Sequence, residues 1–243
     1  MIAGAAPRLS PARGQCTKAL IAAATLLALA TPASAEVGAA VSVFSDARFR
    51  GYSLSAGRPV AALDLSYDDP SGFYGAVSAS AVANDGLHPL GVQLNAGYAR
   101  KTASGPTLDF GVIHSSYSRY GSGRASSYTE VYGGATYKFL SARLAYSPHY
   151  FERGAQTLYG EADANFSPGR KVHLDGHVGV LAPLSYRGEE NAPVRYDWRI
   201  GSAYEAGPVS LHAILTGGGP GRDYYRGRTR SRTALVLGLS CRL

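Results

Sequence analysis

Leu235-Val236-Leu237-Gly238-Leu239-Ser240-Cys241-Arg242-Leu243 closes the chain, and its reading decides the fold. Side chains of an extended strand alternate between two faces, so Leu235, Leu237, Leu239, Cys241 and Leu243 share one side. The other side receives Val236, Gly238, Ser240 and Arg242. The same alternation recurs upstream. Ala61, Leu63, Leu65 and Tyr67 oppose Asp64 and Ser66, and Val92, Leu94, Ala96 and Tyr98 oppose Gln93 and Asn95. Val172, Leu174, Val178 and Val180 oppose His173, Asp175 and His177, while Val194, Tyr196, Trp198 and Ile200 alternate with Arg195, Asp197 and Arg199. Segments of this kind, each about ten residues long, are predicted over 38–49, 60–68, 73–82, 90–101, 107–116, 128–138, 141–149, 157–166, 172–182, 194–206, 209–216 and 232–243.

Composition points the same way. Among 243 residues, 45% are apolar, too many for a chain that stays unfolded. Thirty glycines and 17 tyrosines are poor material for helix interiors. An all-β protein remains, and the connections say which kind. Asp69-Pro70-Ser71-Gly72, Thr102-Ala103-Ser104-Gly105-Pro106, Phe139-Leu140, Ser167-Pro168-Gly169-Arg170-Lys171 and Gly207-Pro208 are short links with turn residues. The alternate links, 117–127, 150–156, 183–193 and 217–231, are longer. Short turns at one end and long loops at the other mark an up-and-down transmembrane antiparallel β-barrel. In hydrocarbon every backbone N–H and C=O needs a partner within the protein, which forces closure. An even strand number puts both termini at one end, and the tally here is about twelve.

Residues 1–18 carry Arg8, Arg13 and Lys18 and no acid, and an apolar run follows from Ala19 to Ala30, broken only by Thr25. Thr31-Pro32-Ala33-Ser34-Ala35 then supplies a small-x-small ending. This is the pattern of a secretory signal peptide, residues 1–35, cleaved after Ala35. The apolar run is too short for a spanning helix, which needs about 20 residues. Residues 36–243 are then the barrel. Without the leader, 21 basic residues face 17 acidic ones, net +4 in place of +7, which is no nucleic-acid footprint. Cys16 leaves with the leader, so the mature chain has one cysteine and no internal disulfide.

Ser45-Asp46-Ala47-Arg48-Phe49-Arg50-Gly51-Tyr52-Ser53, followed by Pro59, resembles the opening of the Gcw_chp family, also called TorF-type porins. The family pattern reads S-D-Y-x-F-R-G-x-S, with Ala47 here in place of Tyr. Ser71-Gly72-Phe73-Tyr74-Gly75 is similar to that family's S-G-F-Y-x-G, with the last Gly one place early. The resemblance implies an outer-membrane barrel and leaves the substrate open. Read physically, Arg48 and Arg50 flanking Phe49 are expected either to contact lipid or lipopolysaccharide at the outer interface or to shape the first external turn.

The polar faces define an expected lumen. Glu161, Asp163, His173, Asp175, His177, Arg195, Asp197 and Arg199 line it, together with Asp64, Asp109, Glu130 and Arg143. Two readings stand: a cross-strand salt-bridge network filling a modest lumen, or a constriction selecting small polar or anionic solutes. His173 and His177 lie roughly 13 Å apart along a strand, so they form no metal site by themselves. No cofactor is expected. His114 and Ser116 have the spacing of a His-x-Ser hydrolase pair, but no acid can be assigned to them, and the chain is read as a non-enzyme. Gly217-Gly218-Gly219-Pro220-Gly221 favours no fixed element, and the Arg- and Tyr-rich stretch after it suits anionic lipopolysaccharide or an inward plug. The sequence therefore predicts a porin-like passive channel for small polar solutes, or a structural barrel. Its partners would be outer-membrane lipid, lipopolysaccharide and the barrel-assembly machinery that reads the last strand. The alternative is a soluble periplasmic all-β binding protein.

Overall fold

Alternating residues become strands from Glu36 onward. The computed structural model describes residues 35–118, 126–151, 153–185, 193–220, 223–225, 228–230 and 233–243. The expected leader, apart from Ala35, lies outside the described residues, as do parts of the 117–127, 183–193 and 217–231 links. β1 (Glu36–Phe44) is followed by two short strands, β2 (Arg48–Phe49) and β3 (Tyr52–Ser53). Then come β4 (Val60–Asp68), β5 (Phe73–Ala83), β6 (Leu87–Lys101), β7 (Thr107–Tyr117), β8 (Ser126–Tyr137) and β9 (Leu140–Ser147). β10 (Gln156–Phe166), β11 (Val172–Ser185), β12 (Arg195–Ala206) and β13 (Val209–Gly219) continue the run. A small hairpin, β14 (Asp223–Tyr225) and β15 (Arg228–Arg230), precedes the last strand, β16 (Ala234–Arg242).

The twelve long strands form one closed antiparallel barrel, each paired with its neighbour along the chain and β1 sealing against both β16 and β4. At the seam Val41 stands opposite Cys241 on one side and Leu63 on the other. Register keeps like faces together. Leu63, Leu94, Val112, Leu144, Val178 and Leu237 are all exposed on the outer wall. The apolar faces thus do not meet one another in a dry interior, which removes the soluble binding-protein reading. At the short-turn end, Tyr67, Phe73, Phe110, Tyr137, Phe139 and Phe166 are exposed on the same outer surface and form an aromatic rim.

Two expectations are corrected. The first strand, predicted to run to residue 49, ends at Phe44, and the chain leaves the wall after Ser45, whose N–H still donates to the Leu237 carbonyl at 2.8 Å. Gly217, Gly218 and Gly219 are not a loop: they extend β13 against Trp198, Asp197 and Tyr196. A side chain at Gly217 would sit 2.8 Å from the Trp198 ring, so glycine lets that ring lie across the neighbouring strand.

The links at the aromatic end are 69–72, 102–106, 138–139, 167–171 and 207–208. At the opposite end 45–59 and 148–155 are long, while 84–86 is a tight exception. The packed interior lies at this long-loop end. Ile113, Tyr117, Tyr128, Tyr132, Ala145, Tyr150, Tyr159 and Leu181 form one buried cluster, against which Phe49, Leu54 and Phe151 pack. Ala47, Val60, Val82 and Leu90 form a second, also touching Leu54.

Candidate functional site

The link between β1 and β4 does not project from the barrel but folds into it. Asp46 is its hub. One carboxylate oxygen accepts hydrogen bonds from the Ser53 hydroxyl at 2.6 Å, the Ser55 hydroxyl at 2.7 Å and the Gly57 N–H at 3.1 Å. The other pairs with Arg48 Nε at 2.6 Å. Phe49 and Tyr52 pair across a two-residue turn whose central residues, Arg50 (φ 45°) and Gly51 (φ 78°), are both left-handed. That is the turn that suits a tight hairpin, and glycine is favoured in it. A side chain at Gly51 would lie 3.1 Å from the Gly217 carbonyl and 3.2 Å from Asp197 Cβ, so the hairpin tip rests on the β12–β13 wall.

Arg50 points to another part of the wall. Its Nη2 reaches both Glu130 carboxylate oxygens at 2.8 Å, and both partners are nearly fully buried. Its guanidinium carbon lies 3.7 Å from the Tyr159 ring centroid, with the Phe49 and Tyr150 rings at 5.0 and 5.4 Å. Arg50 Nη1 is buried with no hydrogen-bond partner among the described residues. Phe49 itself packs against Tyr117, Tyr128 and Phe151 at centroid distances of 6.0 to 6.5 Å. The expectation that Arg48, Phe49 and Arg50 meet lipid or lipopolysaccharide is therefore corrected. All three lie inside the barrel, where Glu130 and a tyrosine cluster supply partners that lipid headgroups would otherwise supply.

The polar faces of β7 to β12 carry a connected charge network below this hairpin. Glu161 stands opposite Arg143 in register, and their charged groups approach to 3.7 Å. Arg143 also approaches Asp109 at 3.6 Å and lies 4.4 Å from the Tyr132 ring. The Tyr74 hydroxyl donates to Asp109 at 2.6 Å and contacts the Tyr132 hydroxyl. Asp163 stands opposite His177, with a 2.8 Å contact to Nδ1, and His177 Nε2 lies 3.0 Å from Asp197. The Tyr159 hydroxyl donates to Asp197 at 3.1 Å. Arg199 closes the group, with Nε on Asp175 at 2.9 Å and Nη2 on Asp163 at 3.8 Å.

The structure brings Glu161, Asp163, Asp175, His177, Asp197 and Arg199 together. It sets His173 and Arg195 apart. His173 sits near the short-turn end between Ser167 and Glu205, at 2.8 and 3.1 Å. Arg195 lies over the Tyr52 ring of the hairpin at 5.4 Å. Ligand-capable atoms of Glu161, Asp163 and His177 fall within 4.8 Å of one another. Arg143 and Arg199 already engage the two carboxylates of that trio, so the arrangement reads as an ion-pair network. His114 and Ser116 are on the outer face. His114 Nδ1 meets Thr129 Oγ1 at 2.9 Å, while Glu130 of the next strand points inward to Arg50. Between the hairpin and the wall remains a cavity of about 100 Å³, bordered by Arg50, Glu130, Tyr159, His177, Asp197 and Arg199.

Sequence reading missed Asp46 and Arg50 as interior residues and Tyr159 as a link between the hairpin and the charge network. The motif around Asp46 was the available signal, since three hydroxyl or amide donors fall within the eleven residues after it.

A closed twelve-stranded barrel, apolar outside, charged within and occupied by its own first long loop, is the class that fold and site define. The chain belongs to the Gcw_chp family, described as bacterial proteins of unknown function, whose profile matches residues 29–235. Among solved structures the fold is similar to the NanC porin (TM-score 0.60, 13% identity), covering 84% of this chain and 100% of that one. It is also similar to the KdgM porin (TM-score 0.51, 15% identity, 84% and 98% covered). A KdgM porin in complex with disordered oligogalacturonate gives a TM-score of 0.50 at 16% identity, covering 85% and 98%. No curated protein matches the chain.

Proposed function

We propose that the protein is a porin-like passive channel of the bacterial outer membrane, admitting small polar solutes. The observation that carries this reading is the outer wall: a closed barrel whose exposed face is apolar from strand to strand and ends in an aromatic rim. Such a surface needs lipid, and a barrel with no free sheet edge can sit in it. Twelve strands lie between the roughly eight that enclose a filled interior and the sixteen or so that enclose an open channel. Lumen charges on β7 to β12 are of both signs and paired with one another, a lining that suits small polar solutes. Oligosaccharides join the solutes to be tested because one structure of similar fold is a porin complexed with one. The leader ending at Ala35 would deliver the chain to export, and the alternating last strand would present it to the assembly machinery. Outer-membrane lipid and lipopolysaccharide surround the barrel in this reading. No catalytic role is proposed: among the described residues Glu130, the acid of the next strand, turns inward to Arg50, away from the outward His114 and Ser116.

A structural barrel that conducts nothing is the second reading, favoured by the hairpin that occupies the lumen. Planar-bilayer recording of the purified full chain separates the two. Discrete conductance steps are expected for a channel. A folded barrel, checked by its altered gel mobility before boiling, that gives no steps under any condition overturns the channel reading.

A further inference from the structure

Residues 46–57 both fill the outer half of the lumen and carry features that make this placement reversible. The segment is anchored to opposite walls. Phe49 packs on Tyr117 and Tyr128 of β7 and β8, and Ala47 and Leu54 pack on Val60, Val82 and Leu90 of β4 to β6. Val82 and Leu90 are 0% and 2% exposed, so the segment is seated directly on that wall at the long-loop end. The tip meets Gly217, Gly218 and Asp197 on the third side. Lumen-facing residues nearer the short-turn end are wetter: Asp64 and Lys101 are exposed.

The same segment holds unfavourable elements. Arg50 and Ala56 adopt left-handed backbone, with φ of 45° and 60°, which residues other than glycine rarely do. Arg50 is a buried cation whose Nη1 has no hydrogen-bond partner among the described residues, and it borders a cavity of about 100 Å³. Strained backbone and a buried group short of partners are features that cluster at clamps and switch segments.

We propose that residues 46–57 are the gate of the channel, shut in this structure, and that Arg50 on Glu130 is its latch. This rests on the channel reading above. Solutes pass when the hairpin leaves the lumen, and its departure exposes Glu130, Asp197 and the tyrosine face of Tyr159 to the passing solute. Arg50 is thus the residue on which passage depends, and the strands behind it supply the lining.

The test records full-length protein in planar bilayers together with two kinds of variant, each checked for a folded barrel by gel mobility before boiling. Arg50→Ala removes the latch and is expected to raise open probability several-fold over wild type. A lock is built in a Cys241→Ser background from Gly51→Cys with Gly218→Cys. A Cβ at position 51 lies 3.2 Å from the Gly218 Cα and one at 218 lies 3.3 Å from the Gly51 Cα, so the two backbones touch there; a Cβ at 218 also meets the Tyr196 carbonyl at 2.7 Å, so closure of the disulfide is confirmed by loss of free thiol before recording. Under oxidising conditions the lock is expected to abolish steps, and added reductant to restore them. Steps that are unchanged in Arg50→Ala and indifferent to the oxidised lock would overturn the gate while leaving the channel standing. Absence of steps in every protein, including one with residues 47–57 replaced by a short Gly-Ser link, would overturn the channel and the gate together. If Arg50→Ala fails to fold, the lock in the otherwise native chain decides the question alone.

Discussion

Asp46 shows how one carboxylate fixes the course of a loop. It accepts from Ser53, Ser55 and Gly57 and pairs with Arg48, so the chain must curl around it within a dozen residues. Ser55, fully buried, in turn accepts the Ala47 N–H at 3.0 Å. Asp46→Ala removes the acceptor that Ser53, Ser55 and Gly57 share and the carboxylate that pairs with Arg48, a local cost of about 1–3 kcal/mol. The barrel hydrogen bonds are untouched. Limited proteolysis of the unboiled protein is therefore expected to cut within 45–59 in this variant, with barrel mobility on the gel unchanged; resistance equal to wild type would show the hub to be dispensable. At the other end of the barrel, Asp69 stands in the β4–β5 turn. It accepts from the Ser71 hydroxyl and from the Ser71 N–H at 2.8 Å, and these bonds hold its carboxyl below the usual carboxylate range. A depressed folded value adds stability that is present above the unfolded pKa and fades as pH falls through the folded one. Asp69→Asn is expected to flatten the acid limb of the heat-stability profile below the ordinary carboxylate pKa. An unchanged limb would mean that the turn adds nothing.

At the level of strands, period-two alternation sets the inward or outward face of each residue, and this was readable in advance because lipid and lumen demand opposite chemistry. Asp163 opposite His177 and Glu161 opposite Arg143 follow from that parity once register is known, yet register itself comes from closure of the barrel. The hairpin was not readable. Arg48-Phe49-Arg50 carries the same residues whether it snorkels to lipid or turns inward, and the deciding partner, Glu130, lies 80 residues away. The triple glycine misled for a related reason: the need for a bare backbone there comes from the Trp198 and Tyr196 rings on the adjacent strand. The strand network has its own test. Arg143 ties β9 to Asp109 of β7 and Glu161 of β10, at 3.6 and 3.7 Å, with all three groups mostly buried. Arg143→Ala leaves two acids facing the same space without a cation, a loss of about 1–3 kcal/mol given the moderate distances. The unfolding midpoint in denaturant is expected to fall accordingly. Adding Glu161→Gln is expected to recover part of it, since the two changes remove one shared interaction and are not additive. Full additivity of the pair would break the network reading.

Across the whole molecule, the two lumen readings that the sequence left open separate by location. The β7–β12 half is a salt-bridge network. Its acids Asp109, Glu161, Asp163, Asp175 and Asp197 each face Arg143, His177 or Arg199 within 4 Å. The other half is lined by small side chains. Asp64, at the middle of β4, is exposed between its cross-strand neighbours Ala40 and Ser78. Among the described residues it has no ion pair or hydrogen bond. An unpaired carboxylate in a low-dielectric conduit raises the local concentration of cations. With the hairpin truncated, the conducting barrel is therefore expected to prefer potassium over chloride, read as the reversal potential in a KCl gradient. Asp64→Asn should bring the permeability ratio to near unity, and Asp64→Lys should invert it. The preference should weaken as salt rises, because screening shortens from about 10 Å at 0.1 M to about 3 Å at 1 M. Arg199→Gln, by contrast, takes the cation from Asp175 and leaves Asp163 with His177 alone, and is expected to lower the unfolding midpoint. A large shift toward cations from Arg199→Gln, with none from Asp64→Asn, would place the selecting charge in the network half after all.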